Sequence, residues 1–153
     1  MLNFLTARTP LRLGDAVAAL LVLEDGRYVL QRRDDKPEIW YPGHWGLFGG
    51  SLDQGESELD ALRRELREEL ELDFDTAEPF ANFGFDLTPI GFGPVFRNYY
   101  EIRLPPSRVD QLYLHEGAEL GVLTGEEVLR LPNLCPYDGF ALFLHHGRAR
   151  LAR

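Results

Sequence analysis

Residues 50–72, GSLDQGESELDALRRELREELEL, constrain this chain more than any other stretch. A glycine-rich turn (Gly49, Gly50, Gly55) runs into a segment without Pro or Gly, which predicts a helix after Gly55. Leu59, Leu62, Leu66 and Leu70 recur at spacings of three, four and four, so they form one seam facing a core. At about 100° per residue, Glu65 and Glu69 share one flank of that seam, and Glu68 lies about 80–100° further round. Like charges this close raise one another's proton affinity unless a cation lies between them. Hard oxygen ligands at this density suit Mg²⁺ or Mn²⁺. A plainer reading uses the same residues. Asp60–Arg64, Arg64–Glu68 and Arg67–Glu71 are opposite charges four apart, as on an ordinary solvated helix.

A motif separates the two readings. The stretch resembles the Nudix box, Gly-x5-Glu-x7-Arg-Glu-U-x-Glu-Glu-x-Gly-U, where U is a bulky aliphatic residue. Gly50, Glu56, Arg64, Glu65, Leu66, Glu68, Glu69 and Leu72 fall in register with it. Glu71 stands where the pattern has its second Gly. There it either adopts a left-handed conformation at a cost of roughly 1 kcal/mol or lets the helix run on toward Asp73. A shifted helix terminus is the expectation, with little effect on chemistry. Phe48 occupies a place where many Nudix sequences carry Pro.

The resemblance implies an α/β fold, the Nudix α/β/α sandwich with a mixed β-sheet between helices, over a single domain spanning residues 1–153. It implies a metal-dependent pyrophosphohydrolase that cuts a phosphoanhydride in a nucleoside diphosphate linked to another group. Nucleotide sugars and nucleoside triphosphates lead the candidate substrates, ahead of ADP-ribose and dinucleoside polyphosphates. Carried over by position, Glu65, Glu68 and Glu69 hold Mg²⁺ or Mn²⁺ together with the Gly50 carbonyl. Glu68 is preferred as general base. Glu56 and Arg64 form a buried pair that locks loop against helix. A further acid often comes from a loop outside the box; Glu119, just ahead of the last strand, is the choice for it, and Glu116 reads as a surface acid. The alternative is a non-catalytic Nudix-fold module that binds a nucleotide as a sensor. Retention of every box glutamate favours the enzyme.

Charge narrows the partners. The chain carries −9 at pH 7, and residues 50–72 hold eight acids against three arginines, over half of that total. This argues against a nucleic-acid polymer. It leaves a small-molecule nucleotide, delivered with divalent metal, as the expected partner, with a homodimer left open. Cys135 is the single cysteine, so no internal disulfide forms and the reducing cytoplasm is the expected location. It reads as a passive thiol. No apolar run is long enough for a signal peptide or a membrane span.

The rest of the chain supplies a sheet. Residues 1–14 read as a lead-in in which Phe4 and Leu5 pack. Residues 16–23 are continuously apolar, as in a central strand, and a turn at residues 24–27 makes a hairpin with residues 28–31. Arg32 and Arg33 close that strand and are candidates for holding phosphate. Trp40, Tyr41, Trp45 and Phe48 cluster around Pro42 and Gly43, and Trp45 is the candidate ring for stacking a base. His44 reads as a loop histidine. Residues 45–47, 77–86, 91–104 and 112–114 read as strands, with Pro94 marking a bulge or an edge. A last strand follows the loop that begins at His115. Thr124 and Glu127 form a capping box for a short helix, residues 126–131. A terminal helix over residues 137–148 carries Phe140, Phe143 and Leu144 for packing.

Overall fold

The structure is a computed structural model that describes residues 14–151. The lead-in with Phe4 and Leu5 lies outside the described residues. Its centre is β1, Ala16–Leu23, whose eight residues are all apolar. Such a strand is stable only when both of its faces are covered. Here Val17, Ala19, Leu21 and Leu23 enter one core cluster. Ala18, Leu20 and Val22 enter another on the opposite side.

The sheet is mixed, as expected from the sequence. β2 (Tyr28–Arg32) returns antiparallel to β1 through a turn in which Gly26 takes a positive φ of 88°. β6 (Pro94–Leu104) runs parallel to β1 along its whole length. β5 (Glu78–Asp86) pairs antiparallel with β6 and forms an edge, with its irregularity between Pro79 and Ala81 rather than at Pro94. Between β1 and β2 the sheet forks. β3 (Trp45–Gly46) pairs with β2, and β4 (Phe48–Ser51) crosses to pair with the first half of β1. β7 (Glu119–Leu123) closes the outer side of β2.

Helix α1 (Glu58–Leu70) covers one face. Ser57 caps its start by accepting from the Asp60 N–H. The seam differs from expectation in one member: Leu62, Leu66 and Leu70 are sealed from solvent with Ala61, whereas Leu59 is exposed. The helix terminus does not shift. Glu71 turns left-handed (φ 53°, ψ 31°), and the N–H groups of Glu71 and Leu72 return to Arg67 and Leu66. Of the expected pairs four apart, Arg64–Glu68 forms at 3.7 Å. Arg67 reaches Asp73 instead, and Asp60 bonds to Ser57.

The other face carries α2 (Gly125–Leu129) and α3 (Pro136–His146), followed by a short α4 (Arg148–Leu151). Both bonds of the Thr124–Glu127 capping box form. On α3 the packing face is Asp138, Ala141, Leu142 and His145, while Phe140 and Phe143 are exposed, contrary to expectation. Polar anchors displaced the apolar ones: buried His145 bonds to the Tyr28 hydroxyl at 2.8 Å and to Glu101 at 2.5 Å. Residues 112–114 form no strand; a 3₁₀ turn at Pro106–Gln111 leads through them into a loop. Among the described residues no helix is long and apolar enough to cross a membrane.

Candidate active site

The site is built around β4, because its glycines let two different surfaces approach one strand. Gly49 has φ 132°, and a Cβ there would run into the Val17 carbonyl. At Gly50 a Cβ would lie 2.5 Å from a carboxylate oxygen of Glu65. Only the absence of side chains brings the acids of α1 against the backbone here.

Glu69 is 5% exposed; its carboxylate accepts from the Gly49 N–H at 2.8 Å and from the Gln31 side chain at 3.1 Å. Burial nevertheless lifts its carboxyl to about 7, and the charges of Glu65 and Glu116 add to the effect. Burial also raises Glu65, against the pull of Arg64, with Glu68 and Glu116 adding repulsion. Glu68 projects outward, 57% exposed. Arg64 organises the outer part. It grips Glu56 with two bonds of 2.9 Å, donates to the Ser51 carbonyl at 3.0 Å and reaches Glu65 at 2.7 Å. The Glu56–Arg64 pair is half-buried rather than buried, with 15% and 28% of the side chains exposed. Arg64 holds the Glu56 carboxyl down at about 2.

Hard carboxylate oxygens with raised proton affinity, beside a glycine that leaves them room, fit a divalent cation in their chemistry. As the side chains stand, no three acids, histidines or cysteines among the described residues converge on a common point. Glu65 leans on Arg64, and Glu68 faces outward.

On the opposite side of β4 lies a cavity of about 540 Å³. Gly49, Gly50 and Ser51 form one wall of it. Aromatic rings dominate the rest, among them Trp40, Tyr41, Phe96, Tyr137 and Phe140, with Arg33 and Arg97 as its charged groups. Arg97 rests over the Tyr137 ring, 4.8 Å from its centroid, and donates through Nε to Asp138 at 3.1 Å. Asp138, at 0% exposure, also accepts from the Leu47 N–H at 2.9 Å and the Tyr99 hydroxyl at 3.2 Å.

The NUDIX domain profile matches residues 12–139, which is most of the chain. The chain belongs to the Nudix family. Solved Nudix-type structures superpose over nearly its whole length. A MutT protein from Methanosarcina mazei has a TM-score of 0.72 at 23% identity, covering 93% of this chain and 98% of its own. The ORF135 protein of E. coli has a TM-score of 0.70 at 27% identity, covering 94% and 96%. The α/β sandwich is thereby the Nudix fold. Nucleoside triphosphatase NudI of Escherichia fergusonii is 48% identical over 50 residues, 33% of this chain and 35% of that protein. The chain thus spans about a third of the length of the curated relatives it matches.

Of the Nudix-box residues, Glu65 and Glu69 lie against the Gly49–Gly50 backbone, Glu68 faces outward, and Glu56 and Arg64 pair beside Glu65. The residues chosen outside the box scatter. Arg32 is committed to Glu119 at 3.1 Å, across the β2–β7 ladder. Arg33 lines the cavity, bonded to the Trp40 carbonyl at 2.8 Å. Trp45 is absent from the cavity wall; its ring covers Gly121 and packs in the core cluster beneath α3. Trp40 and Tyr41, from the same aromatic run, line the cavity in its place. Glu116 is the loop acid whose charge reaches Glu65 and Glu69. Cys135 is buried, and burial pushes its thiol up to about 12, as suits a passive group. His44 bonds to the Pro42 carbonyl within its own loop. Sequence reasoning missed Gln31, Arg97, Asp138 and Tyr137. No signal in the sequence singled them out: Asp138, in the first turn of α3, reads as an ordinary first-turn acid until the fold buries it.

Proposed function

We propose that this chain is a Nudix hydrolase that splits a phosphoanhydride in a nucleoside triphosphate or a related nucleoside diphosphate compound. One observation carries this reading. The acids of α1 touch Gly49 and Gly50 on one side, with Arg64 on the Ser51 carbonyl, and the aromatic cavity is walled by the same three residues on the other. A ligand with rings in the cavity and a phosphate chain passing β4 therefore spans both. The name of the NudI relatives, nucleoside triphosphatases, supports the substrate class.

Glu65, Glu68, Glu69 and the Gly50 carbonyl are the groups that would hold Mg²⁺ or Mn²⁺. When bound, a divalent cation offsets phosphate charge and makes a water nucleophilic near neutral pH. The chain's own residues do the rest. Glu68, exposed and unburdened by a short ion pair, takes a proton from the attacking water. The Gly49 N–H and Gln31 fix the Glu69 carboxylate. Arg64 fixes Glu65 and ties it to the loop. Glu116 takes the part of the loop acid, since Glu119 is held by Arg32. The reading carries a cytoplasmic setting with it.

The test is a screen of the purified chain against nucleoside triphosphates and nucleotide sugars, with Mg²⁺, with Mn²⁺ and with chelator. Release of a nucleoside monophosphate from triphosphates in the metal arms alone is the expected result. One observation favours a second reading, the non-catalytic sensor: no three of the acids converge as they stand. Tight nucleotide binding with no product from any compound would establish that reading instead.

A further inference from the structure

The cavity behind β4 has a lopsided hydrogen-bonding character. Among the described residues that line it there is no carboxylate and no carboxamide. Among the described lining residues, Arg33, Arg97 and the Trp40 indole can only donate; the hydroxyls of Ser51, Tyr41 and Tyr137 can play either part.

Arg97 is the better placed of the two arginines. Its Nε and Nη2 both reach one oxygen of Asp138, each at 3.1 Å. That carboxylate accepts also from Tyr99 and from the Leu47 backbone, and it is sealed from solvent. The pair fixes the guanidinium on the Tyr137 ring without consuming it. The guanidinium also lies beside the Tyr99 hydroxyl, and Nη1 is the nitrogen that Asp138 does not engage. Arg33 is similar, since its Nε is spent on the Trp40 carbonyl.

Resting on the nucleotide reading above, we propose that Arg97 determines base specificity, and that it selects bases presenting oxygen and ring-nitrogen acceptors over those presenting an amino group. A 6-oxopurine offers O6 and N7 side by side, a pair that a guanidinium fork meets with two bonds. A 2,4-dioxopyrimidine offers a carbonyl at the corresponding edge. Adenine and cytosine bring an amino group to the same place. Donor then faces donor, and a half-buried guanidinium is left unpaired. A site built to bond a ligand rejects the mismatched analogue strongly for that reason. Stacking on Tyr137 and Phe140 contributes to every base and so discriminates little.

The test is calorimetric titration of the whole chain in chelator with GMP, AMP, UMP and CMP, alongside turnover of the four triphosphates in Mg²⁺. GMP is expected to bind roughly tenfold to a hundredfold more tightly than AMP, and UMP more tightly than CMP. Arg97→Lys retains a cation for Asp138 but loses the fork, and should bring the GMP to AMP ratio near one. The wild-type ratio decides even where a variant does not fold. Equal binding, an AMP preference or no GMP binding overturns the proposal, as does an unchanged ratio in folded Arg97→Lys. Hydrolysis without base preference sinks this inference and leaves the hydrolase standing. GMP preference without hydrolysis of any triphosphate does the reverse.

Discussion

On one side of β4 stand the acids of α1, and on the other stand two arginines among aromatic rings; the two surfaces differ in how the chain makes them. The acidic side comes from one helix and the loop leading into it. Its members lie within 20 residues of one another, from Gly50 to Glu69, so their relative positions follow from helical geometry. The cavity draws on the Arg33–Tyr41 loop, β4, the β5–β6 hairpin and α3, which meet only once the sheet is assembled. A local constellation tolerates a change of fold context, whereas a distributed one is a property of the fold. In the reading given above the first carries chemistry and the second carries selection.

Substitutions should therefore separate the two functions. The largest expected effect is at the acids. Glu68→Gln should lower turnover of the preferred triphosphate by roughly a hundredfold to ten-thousandfold, the range for loss of a positioned base. Glu69→Gln should do at least as much. Monophosphate binding in chelator should stay within about twofold for Glu68→Gln, because Glu68 does not line the cavity. Turnover close to wild type in either variant would remove the α1 face from the chemistry and dissolve the contrast.

Gly50→Ala tests the boundary itself. The added Cβ would lie 2.5 Å from Glu65, so the carboxylate must move. A displacement of about 1 Å can cost on the order of a hundredfold in rate. Gly50 needs no positive φ, so the melting temperature should change little, unlike Gly49→Ala. An active Gly50→Ala enzyme with normal metal dependence would show that Glu65 is not held by that contact.

How much of this was legible follows from the same contrast. The box residues were readable because eight fixed positions in one stretch leave little freedom. β1 was readable because eight successive apolar residues demand cover on both faces. Trp45 and Phe140 show the limit. Both are large rings in apolar surroundings, yet one is packed over Gly121 and the other is 54% exposed at the cavity mouth. No local pattern distinguishes them, because the choice depends on which strand β3 joins and on what α3 uses for anchors. His145 and Asp138 took the buried positions of α3, displacing the phenylalanines outward. Leu59 fell off its seam in a similar way: Ala61 and Leu62 take the buried positions at the start of α1, and Leu59 is left exposed.

Phe140→Ala sharpens the cavity side by a smaller amount. Losing a stacked ring should raise KM by about tenfold, with kcat unchanged, since ground state and transition state share that contact. Exposure of the ring predicts a melting temperature near that of wild type. A fall in kcat at constant KM would place Phe140 with the chemistry instead.

The smallest effect concerns the brace between loop and helix. Arg64 bonds Glu56 twice, and the pair lowers the Glu56 carboxyl to about 2 from an ordinary 4.5. A depressed carboxyl stabilises the fold fully above its unfolded pKa and loses that contribution as pH falls through its folded one. Glu56→Gln should therefore melt a few degrees below wild type at pH 6. The gap should narrow progressively as pH falls below about 4.5 and close near about 2. Arg64→Ala should show a larger gap at pH 6, because it also releases Glu65 and the Ser51 carbonyl. Melting curves of the three proteins between pH 3 and 7 give the comparison. A gap for Glu56→Gln that is constant across this range would mean that packing, not the ion pair, accounts for the brace. The acids would then owe their placement to the glycines of β4 alone.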